Sequence, residues 1–364
     1  MADQTKIEWT DATWNPVTGC TLVDEGCRNC YAADLAATRL KNHPSRKDLA
    51  RKNSDGIAKF TGEVRFNKNW LDDPLKWTVP RKVFVCAHSD LFHENVPLEW
   101  IDQIFAVMMM CPQHQFQVLT KRPDRMANYL SGAHFRIGGL VCDRVVEESR
   151  KLVLVADQET ERNAPEGTKI HLWHWPLKNV WLGTSVSDQA SADARIPDLL
   201  TTPAAKRFVS AEPLLGPVDF RTIDMGSAPI TGLEHQGIDN INFKINALAG
   251  VQSFGWSGLD WIIVGGESGR NARPMHPDWA RAIRDQCVAA GTAFFFKQWG
   301  EWVPVDYIDD DPGVCRPAGC GTLPVFDSGK RYPLITEHQH DFWRVGKKAA
   351  GRFLDCEEWN EVPE

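Results

Sequence analysis

Cys20, Cys27 and Cys30 crowd into eleven residues of a 364-residue chain, as a C-x6-C-x2-C array. Three thiolates so spaced can converge on one inorganic centre. Gly19 and Gly26 let the chain bend sharply around it, and Asn15-Pro16 favours a turn just ahead. A helix is expected from Tyr31 to Leu40, directly after the last cysteine, and its first N–H groups favour thiolate charge. Zinc, an iron–sulfur cluster and burial without a metal are all open. Zinc needs a fourth ligand; His43 is the nearest histidine, but Pro44 and a turn intervene. A cubane usually takes four cysteines, so three leave one iron open to a small-molecule ligand. Of the other cysteines, Cys86, Cys111, Cys142, Cys287 and Cys356 stand alone and are expected to pack as small hydrophobes. Cys315 and Cys320 form a looser pair that could join His338 and His340 in a second metal site.

Such a loop needs a scaffold, and six apolar runs supply one. Lys82–Cys86 precedes Ala87-His88-Ser89-Asp90, and Phe116–Leu119 precedes Thr120-Lys121-Arg122-Pro123. Val180–Gly183 precedes Thr184-Ser185, and Arg207–Val209 precedes Ser210-Ala211-Glu212-Pro213. Trp261–Val264 precedes Gly265-Gly266-Glu267-Ser268, and Ala293–Phe296 precedes Lys297-Gln298-Trp299. Near-continuous apolar runs suit strands buried on both faces. Leu98–Met110 carries apolar residues at helical spacing; Trp279–Ala290 does too, with Gly291 as its stop, and Ala192–Leu200 is a shorter candidate. Strand, polar turn and helix in repetition predict a partial parallel (βα)6-7 TIM-like barrel over residues 1–300, its first short strand near Trp9. Insertions are expected at about 132–175 and 221–258, and residues 301–364 form a C-terminal extension packing on the barrel. A doubly wound open sheet is the alternative. In a barrel the active site lies at the C-terminal strand ends, where every polar cluster named here falls.

Hydrophobic residues make up 43% of the chain and charged residues 24%, an ordinary globular composition. No apolar run reaches transmembrane length, and Met1–Thr10 lacks a signal-peptide core, so a cytoplasmic protein is expected. The net charge of −7 is uneven: Arg39 to Lys68 holds nine Lys/Arg against three Asp/Glu. Such a basic stretch guides a polyanion, with Arg46, Lys47, Arg51 and Lys52 as the expected phosphate contacts, or is a solvated face.

The cysteine loop resembles that of radical S-adenosylmethionine (radical SAM) enzymes, although their usual spacing is C-x3-C-x2-C. It agrees better with a phage-associated three-cysteine-motif family that is radical-SAM-like. The family's pattern is matched by Lys6-Ile7-Glu8-Trp9-Thr10, Trp14-Asn15-Pro16, Gly19-Cys20, Gly26-Cys27 and Cys30-Tyr31-Ala32. It continues in Ser89-Asp90-Leu91-Phe92-His93, Leu119-Thr120-Lys121-Arg122-Pro123, Trp181-Leu182-Gly183 and Glu212-Pro213-Leu214-Leu215-Gly216. It ends in Gly265-Gly266-Glu267-Ser268-Gly269, Phe295-Phe296-Lys297-Gln298-Trp299-Gly300 and Gly346-Lys347-Lys348-Ala349-Ala350-Gly351-Arg352.

The resemblance implies a [4Fe–4S] cluster on Cys20, Cys27 and Cys30, SAM on the fourth iron, an external electron donor, and a phage or bacterial source. In its terms Ser89, Asp90, Ser185 and Tyr31 bind the cofactor, and Glu267, Lys121 and Glu212 are catalytic. Lys297, Gln298, Trp299 and Arg122 meet the substrate, expected to be a modified pyrimidine in phage DNA that is rearranged. A photoproduct lyase or a methylase would use the same parts. Each residue also has a plainer role. Asp90 could cap a helix, Lys121 and Arg122 form a surface turn, Glu212 and Glu267 pair with basic residues, Trp299 fill the core, and His88 and His93 pack. Two other classes compete: a barrel glycoside hydrolase using Glu212 and Glu267, and a non-enzymatic nucleic-acid-binding protein with a structural metal.

Overall fold

The computed structural model describes residue 5 and residues 7–131, 152–155, 169–172, 176–229, 240–250, 255, 257–304, 334–337 and 340–364. Seven strands form the main sheet: β1 (Ala12–Trp14), β2 (Lys82–Val85), β3 (Gln115–Thr120), β4 (Val180–Val186), β5 (Lys206–Ala211), β6 (Trp261–Gly265) and β7 (Ala293–Gln298). Their hydrogen-bonded order is their chain order. The β1–β2, β2–β3, β5–β6 and β6–β7 ladders are parallel. A doubly wound sheet reverses its order at a switch point; this one does not, and its winding is compatible with a partial (βα) barrel. β1 lies three residues beyond Trp9, which instead sits buried in a turn.

The chain divides into two compact units. The first comprises Met1–Leu22, Ala32–Gly183 and Thr201–Arg207; the second comprises Val23–Tyr31, Thr184–Leu200 and Phe208–Glu364.

In the first unit, Val83 and Val85 of β2 and Phe116 and Val118 of β3 are fully buried. Each such side chain contributes about 1.5–3 kcal/mol by leaving water. The helix α2 (Leu98–Met110) follows β2 and buries Ile101, Ile104, Phe105 and Met108 of the stripe read from its spacing, while Leu98, its first member, is exposed. The helix after the cysteine loop, α1 (Tyr31–Ala37), is one turn shorter than expected. From the expected insertion at 132–175, two short strands, Leu152–Val155 and Lys169–Leu172, pair with each other outside the main sheet.

In the second unit, α4 (Gln189–Thr201) follows β4 and α5 (Pro277–Ala290) follows β6; α3 (Pro123–Ser131) belongs to the first unit after β3. Gly291 closes α5 in the left-handed conformation at φ 70°. Ile223–Pro229 and Asn240–Ile245 form an antiparallel ribbon outside the main sheet. The chain's end covers the outer edge of β7: Phe295 bridges Asn360, and the Trp261 indole donates to Glu361 O at 2.8 Å. Among the described residues no helix is long and apolar enough to cross a membrane.

Candidate functional site

In the first unit, β1 leads through Val17-Thr18 to Gly19 and Cys20. Gly19 has φ +99°, and a Cβ there would lie 2.1 Å from Glu63 O, so only glycine admits this turn. Gly19 forms a parallel bridge with Ser89, whose hydroxyl donates to Val17 O at 2.8 Å. Ser89 thus secures the strand before the cysteine.

Asp90 accepts four hydrogen bonds. Oδ1 takes Phe92 N (2.9 Å) and Thr120 Oγ1 (2.7 Å); Oδ2 takes Lys121 N (3.0 Å) and Arg122 Nη1 (3.1 Å). Its expected role toward the SAM ammonium is therefore corrected: the carboxylate is buried and fully used in joining β2 to β3. It caps a turn rather than a helix. Arg122 is corrected from substrate contact to tether. Its Nη2 donates to Thr21 Oγ1 (2.6 Å), Nε to Glu94 Oε1 (2.7 Å) and Nη1 to Cys20 Sγ (3.9 Å). Burial opposes its charge, but Glu94, Asp90 and Cys20 outweigh that and hold its pKa above the usual arginine range.

Arg46 is buried as well, and donates from Nε (3.2 Å) and Nη2 (2.7 Å) to His88 Nδ1 and from Nη1 to Ser45 Oγ (2.6 Å). It is no phosphate contact. Burial first, then the Arg46 charge, push the His88 pKa down to about 4, so this imidazole is neutral. Lys52 pairs with Asp34 at 3.7 Å, whereas Lys47 and Arg51 are exposed.

In the second unit, Asp24 Oδ1 accepts from Cys27 N (3.2 Å) and Oδ2 from Arg195 Nη2 (2.5 Å); Arg195 Nη1 also holds Ser185 O (2.7 Å). Ser185 Oγ donates to Glu212 O at 3.2 Å. Glu267, at the end of β6, is buried and receives Asn29 Nδ2 (3.0 Å), Arg273 N (2.8 Å), Arg273 Nε (2.9 Å) and Arg273 Nη2 (2.8 Å). Arg273 Nη2 reaches on to Glu25 O at 2.9 Å. Glu267 thus fastens the segment carrying Cys27 and Cys30 instead of meeting a ligand. Gly266 beside it makes room for backbone, since a Cβ would lie 1.9 Å from Trp299 O.

Glu212 accepts Lys297 Nζ on both oxygens (2.9 and 2.8 Å) and Gln298 Nε2 at 3.1 Å. Lys297 is thereby spent on Glu212, whereas Gln298 shares its Nε2 among Glu212, Gly266 O and Ser268 Oγ and its Oε1 is buried without a partner. Trp299 is fully buried core, its indole donating to Phe353 O at 2.9 Å, which corrects its expected stacking role. A glycoside hydrolase needs two carboxyl groups facing the scissile bond; Glu212 and Glu267 are each engaged by a cationic side chain instead.

The thiols differ sharply in setting. Cys86, Cys111 and Cys287 are buried and free, and burial pushes each thiol up to about 12, as structural cysteines require. Cys356 is half-buried in a turn. Cys20, Cys27 and Cys30 are half-buried and form no disulfide. Among the described residues the three thiols form no single-ion group within 4.8 Å, either with one another or with a histidine or carboxylate. His43, the nearest histidine in sequence, is engaged by Ser45 Oγ at 2.6 Å. Soft thiols without a fourth side chain fit an iron–sulfur cluster better than closed zinc. Tyr31 is half exposed at the start of α1, and Lys121 contributes its backbone N–H to Asp90.

Cys142, Cys315, Cys320 and His338 lie outside the described residues. His340 packs edge-on against His276 at 4.5 Å, near Asp278. His276 Nδ1 already accepts Asp278 N (3.1 Å) as the cap of α5, so that nitrogen serves the helix.

Sequence reasoning missed Asn29, Arg195 and Arg273. Arg195 left a signal: it falls on the apolar stripe of α4, between Ala192 and Ile196, where a charge needs a buried partner.

Parallel strands with paired charges at their C-terminal ends, and a cysteine loop tethered by arginines, define an α/β protein of strand-end site type. The chain belongs to the family described as protein of unknown function (DUF5131), whose model matches residues 4–363. No curated protein and no solved structure matches the chain.

Proposed function

We propose that this chain is a radical SAM enzyme that abstracts hydrogen from a pyrimidine base of phage DNA and rearranges it. One observation carries the proposal: the three thiols of the C-x6-C-x2-C loop are half-buried and reach the surface, while Cys86, Cys111 and Cys287 are sealed in the core. Cys20, Cys27 and Cys30 would hold a [4Fe–4S] cluster with SAM at its fourth iron. When bound, this pair supplies a 5′-deoxyadenosyl radical for hydrogen abstraction, with an external donor as the electron source. The chain's own residues position the thiols. Arg122 holds Thr21 beside Cys20, Asp24 and Arg195 hold the Cys27 turn, and Asn29, Glu267 and Arg273 hold the approach to Cys30. Ordering each loop residue costs about 1–2 kcal/mol, and each bond to a charged group returns about 1.5–3 kcal/mol. The tethers thus offset much of the cost of keeping the thiols in place without a metal. Tyr31, half exposed beside Cys30, would contact the cofactor.

Anaerobic reconstitution with iron and sulfide should give a brown protein with about four irons per chain. Cys27→Ala should lose the iron while keeping its secondary structure. The loaded enzyme, SAM, reductant and phage-type DNA are then incubated and digested to nucleosides for mass spectrometry. An isomer of unchanged mass and altered retention is expected; a cleaved dimer or an added methyl group would indicate the lyase or methylase instead. Full iron loading by Cys27→Ala refutes the cluster assignment. A changed peptide with no altered nucleoside refutes the substrate.

A further inference from the structure

The basic stretch from Arg39 to Lys68 is sorted by the structure into two groups. Arg46 is buried against His88, Lys52 pairs with Asp34, and Arg65 donates to Pro44 O (2.5 Å) and Lys47 O (3.0 Å). The other six, Arg39, Lys41, Lys47, Arg51, Lys59 and Lys68, are exposed, and none meets a carboxylate among the described residues.

Two of the six face each other. Ala50–Lys52 and Ala58–Phe60 form an antiparallel hairpin in which Arg51 stands directly opposite Lys59. Alternation puts Ala50, Lys52, Ala58 and Phe60 on the inner face, where Ala58 is buried and Lys52 reaches Asp34 of α1. Arg51 and Lys59 alone make up the outer face of the ladder. Like charges directly opposite are destabilising, and a two-stranded ladder is marginal to begin with. An acidic residue at either position would remove the repulsion. The hairpin turn is nevertheless firmly built, since Asn53 Oδ1 accepts both Asp55 N (3.1 Å) and Ile57 N (2.8 Å). A rigid ribbon that keeps two cations together at a cost to its own folding is suited to an external anion.

We propose that the outer face of this hairpin docks the phosphodiester backbone of a nucleic acid. The role of that polymer as substrate carrier rests on the function proposed above; the docking itself needs no cluster. An anionic membrane is the competing polyanion. Membrane-binding faces combine cations with apolar side chains that insert, and none of the exposed large apolar residues falls between 39 and 68. Phosphate contacts of this kind set register and carry no base preference.

The test is fluorescence anisotropy with a short duplex DNA over a salt series, on cluster-free and reconstituted protein, with iron measured on the same samples. For wild type the logarithm of affinity should fall linearly with the logarithm of salt. In Arg51→Gln/Lys59→Gln the slope should shrink by about 2, with affinity about tenfold weaker at low salt. Lys59→Glu should weaken binding at least as much while melting no lower than wild type, because it converts the repulsive pair into an attractive one. That melting result separates lost docking from lost folding. Wild-type slopes in both variants would overturn the proposal, as would binding to phosphatidylserine vesicles without binding to the duplex. Absent iron with variant-sensitive DNA binding would sink the cluster and leave the docking face standing; full iron with unchanged slopes would do the reverse.

Discussion

Replacing His88 by Gln should flatten the acid limb of the stability curve. The imidazole is largely buried, and its Nδ1 accepts two guanidinium N–H groups of Arg46. A proton there would face that cation. The folded-state pKa is pushed down to about 4 from an ordinary 6.5. Between those values the unfolded chain binds a proton that the folded chain refuses, so stability is lost as pH falls from about 6.5 towards 4. At about 1.4 kcal/mol per unit the loss approaches 3 kcal/mol. Burial also lowers the His93 and His114 pKa values, so they add loss of the same sign. Only the difference between wild type and His88→Gln isolates His88. The amide oxygen of Gln can still accept from Arg46, but it does not titrate. Urea unfolding at several pH values between about 7 and 4 should show wild type losing about 3 kcal/mol more than the variant. Arg46→Met should recover only part of that difference, because burial is the larger cause. Parallel curves, within about 0.5 kcal/mol, would refute the assignment of a neutral His88.

Three further outcomes are expected. Arg273→Met leaves the buried Glu267 carboxylate without its cation and should cost about 3 kcal/mol of stability, read from urea midpoints. Gly266→Ala drives a methyl group into Trp299 O, which is backbone and cannot swing aside; soluble expression should fall steeply, and a wild-type melting curve would contradict the contact. Trp299→Phe removes one indole donor from the core, and differential scanning calorimetry should show about 1–2 kcal/mol lost.

The sheet was legible because β2, β3, β5, β6 and β7 are near-continuous apolar runs, a pattern that survives without tertiary information. β1 was placed a few residues early because three residues with a polar centre, Ala12-Thr13-Trp14, give almost no periodicity. The strand-end clusters were legible as places but not as roles. A sequence shows that Asp90, Glu212 and Glu267 are acids; it does not show that Arg122, Lys297 and Arg273 satisfy them, the first two from 32 and 85 residues away. Pairing inverted most of the expected ligand contacts into fastenings. Trp299 failed for a related reason: an aromatic at a strand end is a stacking plate or a core plug according to what surrounds it, and here it is buried with Phe296 edge-on at 5.1 Å and its N–H on Phe353 O.

Chain order in the sheet has a temporal side. Each strand pairs with the one made before it, so a nascent chain can add strands singly as they leave the ribosome. The cysteine loop keeps different time. Its tethers arrive 101 residues after Thr21 (Arg122), 171 after Asp24 (Arg195) and 248 after Glu25 (Arg273). At roughly 5–20 residues per second the last follows the loop by roughly 10–50 s. During that interval the thiols are synthesised but unclasped, open to oxidants and to stray metals. A chain truncated before Arg273 carries Cys27 and Cys30 but lacks the guanidinium that holds Glu25 and Glu267.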